Sequence, residues 1–244
     1  MCHKHTKSHH GRTGMKTIGM IGGMSWESTI PYYRIVNEEI RNKLGGLHSA
    51  KIILFSVEFD EIEKLQSGNE WDKAGEILGK AAQALESAGA DFIVICTNTM
   101  HKVAAQIASM INIPVVHIAD ATAEELKKDN IRRVGLLGTK YTMLQDFYRN
   151  RLKDRGIETL IPEPEDIETV NSVIFNELCI GDIREESRRK CLDVIENLYE
   201  NGAEGIILGC TELGLLIDQA EVEIPVFDTT VIHAVKAAEL ALEE

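Results

Sequence analysis

The chain has 244 residues, of which 44% are hydrophobic, 5% aromatic and 27% charged, and it carries a formal net charge of −13. That length allows one or two domains with a sizeable core, in the profile of an ordinary α/β protein. The negative balance argues against nucleic acid or an anionic membrane surface as partner, and no apolar run approaches the ~20 residues a membrane helix needs. Five cysteines, an odd number without paired spacing, point to reduced thiols and a cytoplasmic setting.

In chain order, residues 1–14 are basic and polar with no apolar stretch, so they read as a disordered leader or cloning remnant and not as a secretory signal. Cys2, His3, His5, His9 and His10 lie there without a fixed frame, and no metal site is expected from them. The fold is expected to start at Met15 with a strand at 17–21 and a glycine-rich loop, Gly22-Gly23-Met24-Ser25-Trp26, leading into a helix. A strand at 50–57, a helix at 71–88, a strand at 92–96, a helix at 100–111 and a strand at 115–117 follow. The second part continues with strands at 133–137 and 205–208, a helix at 184–201 between them, a strand at 225–227 and a helix at 230–242. Such alternation predicts parallel sheets flanked by helices. The spacing Gly19-x-x-Gly22-Gly23 is not the dinucleotide fingerprint and no phosphate-binding Walker loop occurs, so no cofactor is expected.

The chain also repeats itself. Ile18-Gly19-Met20-Ile21-Gly22 resembles Val134-Gly135-Leu136-Leu137-Gly138 at an offset of 116 residues. Residues 89–95 resemble 202–208 at an offset of 113, and Ile113-Pro114-Val115 resembles Ile224-Pro225-Val226 at an offset of 111. Ordered matches with slowly drifting offsets point to duplication. The expected organisation is therefore two pseudo-symmetric Rossmann-like domains, residues 15–116 with 226–244 and residues 117–225, with an active site in the cleft between them. Open parallel sheets bind ligands beyond the carboxyl ends of their strands, so two facing units bring equivalent loops to one cleft.

Extending the middle repeat pairs Thr97 with Cys210 and Cys96 with Gly209. Both loops are expected to open helices, whose free N–H groups and dipole favour negative charge and would lower the Cys210 thiol pKa. The same N–H groups, with the Asn98, Thr99 and Thr211 side chains, can hold a substrate carboxylate. Residues 97–99 can equally cap the helix that follows. Cys96, Cys179 and Cys191 read as small buried hydrophobes.

Taken together, Gly22-Gly23-Met24-Ser25-Trp26-Glu27-Ser28-Thr29 with Tyr32-Tyr33, Thr97-Asn98-Thr99-Met100-His101, Leu137-Gly138-Thr139 and Gly209-Cys210-Thr211-Glu212 resemble the aspartate/glutamate racemase family, which works without pyridoxal phosphate. The resemblance runs from Met15 to the C-terminus. It implies that a base at one loop removes the α-proton while a group at the other loop reprotonates the opposite face. Family members usually carry cysteines at both loops, and here Thr97 stands at the first. That pattern is similar to a branch acting on L-aspartate and L-glutamate, with Cys210 as base toward the L substrate and Thr97 opposite. The resemblance further implies a second carboxylate site, with Met24, Gln66 and Thr139 on loops that could border it. Glu212 could assist proton movement beside the thiol, and His101 could steer protons or only pack. The expected partners are a small acidic amino acid and a second copy of the chain in a homodimer.

Two other functions compete. A lyase using one thiol on the same fold, similar to the arylmalonate decarboxylases, needs only Cys210. A non-catalytic binder of acidic amino acids would make Thr97 a mark of a decayed site.

Overall fold

The structure, a computed structural model, describes residues 14–243. The leader and its histidines and Cys2 lie outside the described residues, apart from Gly14. The first half runs β1 (Thr17–Gly22), α1 (Trp26–Leu44), β2 (Lys51–Ser56), α2 (Phe59–Ser67), α3 (Trp71–Ser87), β3 (Phe92–Ile95), α4 (Ala104–Ser109) and β4 (Val115–Val116). Helix α5 (Ile118–Lys128) then leads into β5 (Arg133–Gly138), α6 (Lys140–Leu144), α7 (Asp146–Asp154), β6 (Glu158–Leu160), α8 (Pro164–Asn176), α9 (Glu185–Glu200), β7 (Gly205–Gly209), β8 (Val226–Asp228) and α10 (Thr229–Leu242).

The eight strands form two parallel four-stranded sheets, ordered β2-β1-β3-β4 and β6-β5-β7-β8. Their orders match strand for strand, which is the repeat of the sequence seen in space. The inner strands β1, β3, β5 and β7 are almost wholly buried, as expected of parallel strands covered on both faces. The three residues of β6 are too few and too polar to register as a strand in the sequence; pairing to Arg133–Gly135 of β5 makes them one.

Val226–Asp228, expected with the first unit, pair instead with β7 of the second sheet. It is α10 that returns to the first. Asp228 caps that helix by accepting from the N–H groups of Thr230 (2.8 Å) and Val231 (3.3 Å). Ala234, Ala237, Ala238 and Ala241, at helical spacing, then pack in one core with Tyr32, Val36 and Ile40 of α1. No described helix is long and apolar enough to cross a membrane.

The helix expected over 100–111 is broken. The His101 ring Nδ1 donates to the Thr97 carbonyl at 2.7 Å, the oxygen an α-helix would offer to the His101 N–H. That N–H bonds to Asn98 O instead, so Thr99–Val103 forms a 3₁₀ turn before α4 begins. After Cys210 the chain likewise forms only 3₁₀ turns, at Leu213–Leu215 and Gln219–Glu221.

Candidate active site

Four strand-end loops converge on a cleft with about 440 Å³ of empty space, its opening included. All nine nominated residues line it: Met24 after β1, Gln66 near the end of α2, Thr97, Asn98 and Thr99 after β3, Thr139 after β5, and Cys210, Thr211 and Glu212 after β7. Phe59, Ile62, Ile174 and Phe175 supply an apolar wall. The β1 loop needs Gly23, with φ at +91°, because a Cβ there would collide with the Val57 carbonyl. Its N–H bonds to Thr29 Oγ1 at 2.9 Å, which ties the loop to the start of α1.

Glu212 is a buried carboxylate, 4% exposed, ringed by donors. Cys210 Sγ and Thr211 Oγ1 donate to its Oε2 at 3.1 and 2.6 Å. Ser25 Oγ and Ser28 Oγ, from the start of α1, donate to Oε1 at 2.9 and 2.7 Å, reaching across from the other half of the chain. The pseudo-symmetric contact is made by Thr99 Oγ1 and Thr139 Oγ1, 3.2 Å apart. The two halves thus close on each other through matching loops, one pair holding a carboxylate and the other only hydroxyls.

The thiol environment differs from the one expected. Cys210 is 7% exposed, and burial first, then the Glu212 carboxylate, pushes its pKa well up. The expected lowering assumed a helix N-terminus, and the short 3₁₀ turn after Cys210 provides none. The resting group is therefore a protonated thiol hydrogen-bonded to the Glu212 side chain.

The Asn98 amide is oriented by its neighbours. Thr229 Oγ1 donates its one hydrogen to Leu208 O at 2.7 Å, so it must accept from Asn98 Nδ2 at 2.9 Å. That fixes the amide and leaves the buried Asn98 Oδ1 without a partner. An unpartnered acceptor in that position can take a hydrogen bond from a ligand's donor. The Asn98 side chain makes no cap hydrogen bond to the turn that follows.

Residues 21–237 match the family described as Asp/Glu/Hydantoin racemase. The chain belongs to this family. It is similar to a Yersinia pestis crystal structure described provisionally as an Asp/Glu racemase, at 54% identity and a TM-score of 0.88, covering 94% of this chain and 100% of that one. It is similar also to an aspartate racemase homologue from Pyrococcus horikoshii OT3, at 41% identity and a TM-score of 0.82 over 94% and 100% of the two chains. The broad-specificity amino-acid racemase RacX of Bacillus subtilis is 26% identical over 230 residues, 87% of this chain and 92% of that protein.

Within this racemase fold, Cys96 faces away from the cleft, fully buried beside Tyr32 and Val36. Cys179, read from sequence as a small hydrophobe, lines the cavity instead, with its Sγ 3.7 Å from Glu212 Oε1. In the sequence Ser25 and Ser28 stand out only as part of a motif. Their role as donors to a residue some 185 positions away leaves no local signal, because serine at a helix start reads as an ordinary cap.

Proposed function

We propose that the protein is a cofactor-independent racemase of acidic amino acids, in which Cys210 removes the α-proton and Thr97 stands on the opposite face. The observation carrying this reading is the arrangement around Cys210: a buried thiol bonded to a carboxylate, in the loop that pairs by repeat with the Thr97 loop across one cavity. Glu212 takes the thiol proton, the thiolate takes the α-proton, and the electron pair passes into the substrate carboxylate as an enediolate. Asn98 Oδ1 accepts from the ammonium. Thr99, Thr139 and Gln66 offer neutral side-chain donors for the carboxylates, Thr211 offers its backbone N–H, and Met24 closes the side. Free thiols at all four described cysteines fit a reducing, cytoplasmic setting.

The test is incubation with L- and D-aspartate and L- and D-glutamate in D₂O, followed by proton NMR and chiral separation. Loss of the α-proton signal together with appearance of the opposite enantiomer is expected for one of the two amino acids. No exchange with any of the four rejects the reading. The apolar wall of Phe59, Ile62, Ile174 and Phe175 favours a second reading, in which larger neutral amino acids are accepted, and leucine and methionine in the same assay separate the two.

We also infer a symmetric dimer through the open edge of the first sheet. Trp26, Ile30 and Tyr33 form an exposed apolar stripe along α1, beside the exposed Leu54 of edge strand β2. The Asn37 side chain bonds to the N–H of Ala50, and a Cβ on Gly22 would touch both Thr29 and Leu54, so helix and strand lie side by side. An uncapped edge with such a patch is a surface that natural sheets cover. Sedimentation is expected to give twice the chain mass, and Ile30→Lys with Leu54→Lys to give the monomer; a monomeric wild type ends this inference.

A further inference from the structure

The hydrogens around Glu212 do not match the bonds they must make. Five groups bring one hydrogen each: the hydroxyls of Ser25, Ser28 and Thr211 and the thiols of Cys210 and Cys179. Six hydrogen-bond contacts join these groups and the carboxylate. Five are the contacts to Oε1 and Oε2 already described, and the sixth is between Ser28 Oγ and Thr211 Oγ1, 2.5 Å apart. With Glu212 ionised, one contact must set two lone pairs against each other. The shortage falls on the Ser28–Thr211 pair, because whichever of the two hydroxyls donates to the other leaves its own contact with Glu212 without a hydrogen. A sixth hydrogen on Oε1 removes it, since Glu212 then donates to Ser28, Ser28 to Thr211 and Thr211 back to Oε2.

We propose that Ser28 is a positioning residue that turns this cluster into a one-proton store for Cys210. The proposal rests on the reading of Cys210 as the base and adds where its proton goes. The Cys210 proton crosses the existing bond to Glu212 and can shift between the two carboxylate oxygens along Thr211 and Ser28. The thiolate then forms a new S–H bond as the substrate Cα–H bond breaks, with the electron pair left on the substrate. At that point thiol and carboxyl are both protonated, and every contact of the cluster holds a hydrogen. The matching Thr99–Thr139 pair contains no group that gains or loses a proton, so the store serves one face of the cleft only.

Few charges face this cluster. Among the described residues, Glu212, Cys210 and Cys179 are the only titratable groups lining the cavity. From α1 the nearest charge is Glu27, whose carboxylate lies beside Gly181, and Glu177, flanking Cys179, is paired with Arg184.

The two serines contact the same oxygen yet should act with opposite sign. Ser28→Ala removes the frustrated contact and leaves the extra proton no acceptor, so it lowers the proton affinity of Glu212. Ser25→Ala removes only a donor to the carboxylate, which raises it. Infrared difference spectra of the carboxyl stretch, titrated by pH and referenced to Glu212→Gln, read this without any substrate. The Glu212 midpoint is expected to fall by about one unit or more in Ser28→Ala and to rise in Ser25→Ala, with Ser28→Thr near wild type. In the D₂O assay Ser28→Ala is expected to lose about tenfold or more in kcat with KM within about twofold, the acidic limb of its pH profile following the infrared midpoint. Midpoints that move in the same direction in both variants, or that do not move, overturn the proposal. A wild type inactive on every amino acid would overturn the racemase reading alone, since the infrared titration still decides the role of Ser28.

Discussion

Replacing Cys210 with alanine is expected to cut α-proton exchange by about a thousandfold or more, with the fold intact. A positioned acid or base contributes roughly 10²–10⁴ in rate, and of the two cavity thiols Cys210 lies closer to a proton acceptor, 3.1 Å from Glu212 Oε2 against 3.7 Å from Oε1 for Cys179. A thousandfold corresponds to about 4 kcal/mol of transition-state stabilisation. Losing one buried sulfur should cost about 1 kcal/mol of stability, and it also frees Glu212 of one donor. Thermal melts of the variant should therefore stay within a few degrees of wild type while exchange disappears. Exchange that survives Cys210→Ala would place the base elsewhere. Thr97→Cys works in the opposite direction, because it sets a thiol at the repeat-related position where the wild type has only a hydroxyl, a far weaker acid. Racemisation has an equilibrium constant of one, so the gain must appear in kcat/KM for both enantiomers equally. An improvement confined to one direction at equilibrium would indicate an assay artefact and not a one-way enzyme.

The parts of this site that were legible from sequence are those written in short-range pattern. Continuous apolar runs such as Phe92–Ile95 and Gly205–Gly209 mark inner parallel strands, and their repeat aligns Thr97 with Cys210. Strand-end loops face the cleft in this class of fold, which brings Met24 and Thr139 to the same cavity as the two central loops, whereas Gln66, expected on a loop, reaches it from helix α2. What stayed hidden depends on contacts across the chain. The short β6 exists only because β5 pairs with it, and the His101 side chain turns an expected helix into a 3₁₀ turn by taking the Thr97 carbonyl. The Cys210 pKa is hidden from the sequence for the same reason. A strand followed by polar residues looks like a helix N-terminus, whereas depth of burial and the placement of Glu212 are tertiary facts.

Acid should unfold this protein early, beginning below about pH 6.5, through three buried histidines at the junction of its halves. His101 comes from the β3 loop, His117 caps α5 where the chain crosses to the second half, and His233 lies on the returning α10. The His101 ring lies 4.6 Å from that of His117 and 5.5 Å from that of His233. Each ring is fixed as neutral by its partners. His101 donates from Nδ1 to Thr97 O and accepts at Nε2 from the Ile118 N–H at 3.2 Å. His117 Nδ1 accepts from the Ala119 N–H at 3.2 Å. His233 donates from Nε2 to Val116 O at 2.9 Å and accepts at Nδ1 from the Tyr32 hydroxyl at 2.8 Å. A second ring proton would meet a donor in every case. Burial, followed in His117 and His233 by the neighbouring His101, pushes the pKa of His101 down to about 4, that of His233 to about 3, and that of His117 lower still.

Folded values below the unfolded value of ~6.5 mean that the unfolded chain binds more protons between about pH 6.5 and 4. Stability is therefore fully present above about pH 6.5 and falls as the pH drops toward 4. At about 1.4 kcal/mol per unit, His101 alone removes about 3 kcal/mol over that range, and three such groups rival the roughly 5–15 kcal/mol that holds a domain together. Urea unfolding from pH 7.5 to 4.5 should show this fall, and His233→Asn should flatten it while lowering stability at neutral pH. A slope unchanged in that variant would assign the acid sensitivity to other groups. Because His101 bonds the Thr97 carbonyl to the first turn of α5, protonation that loosens this junction should also release the Thr97 loop, so activity and stability are expected to fail together in acid.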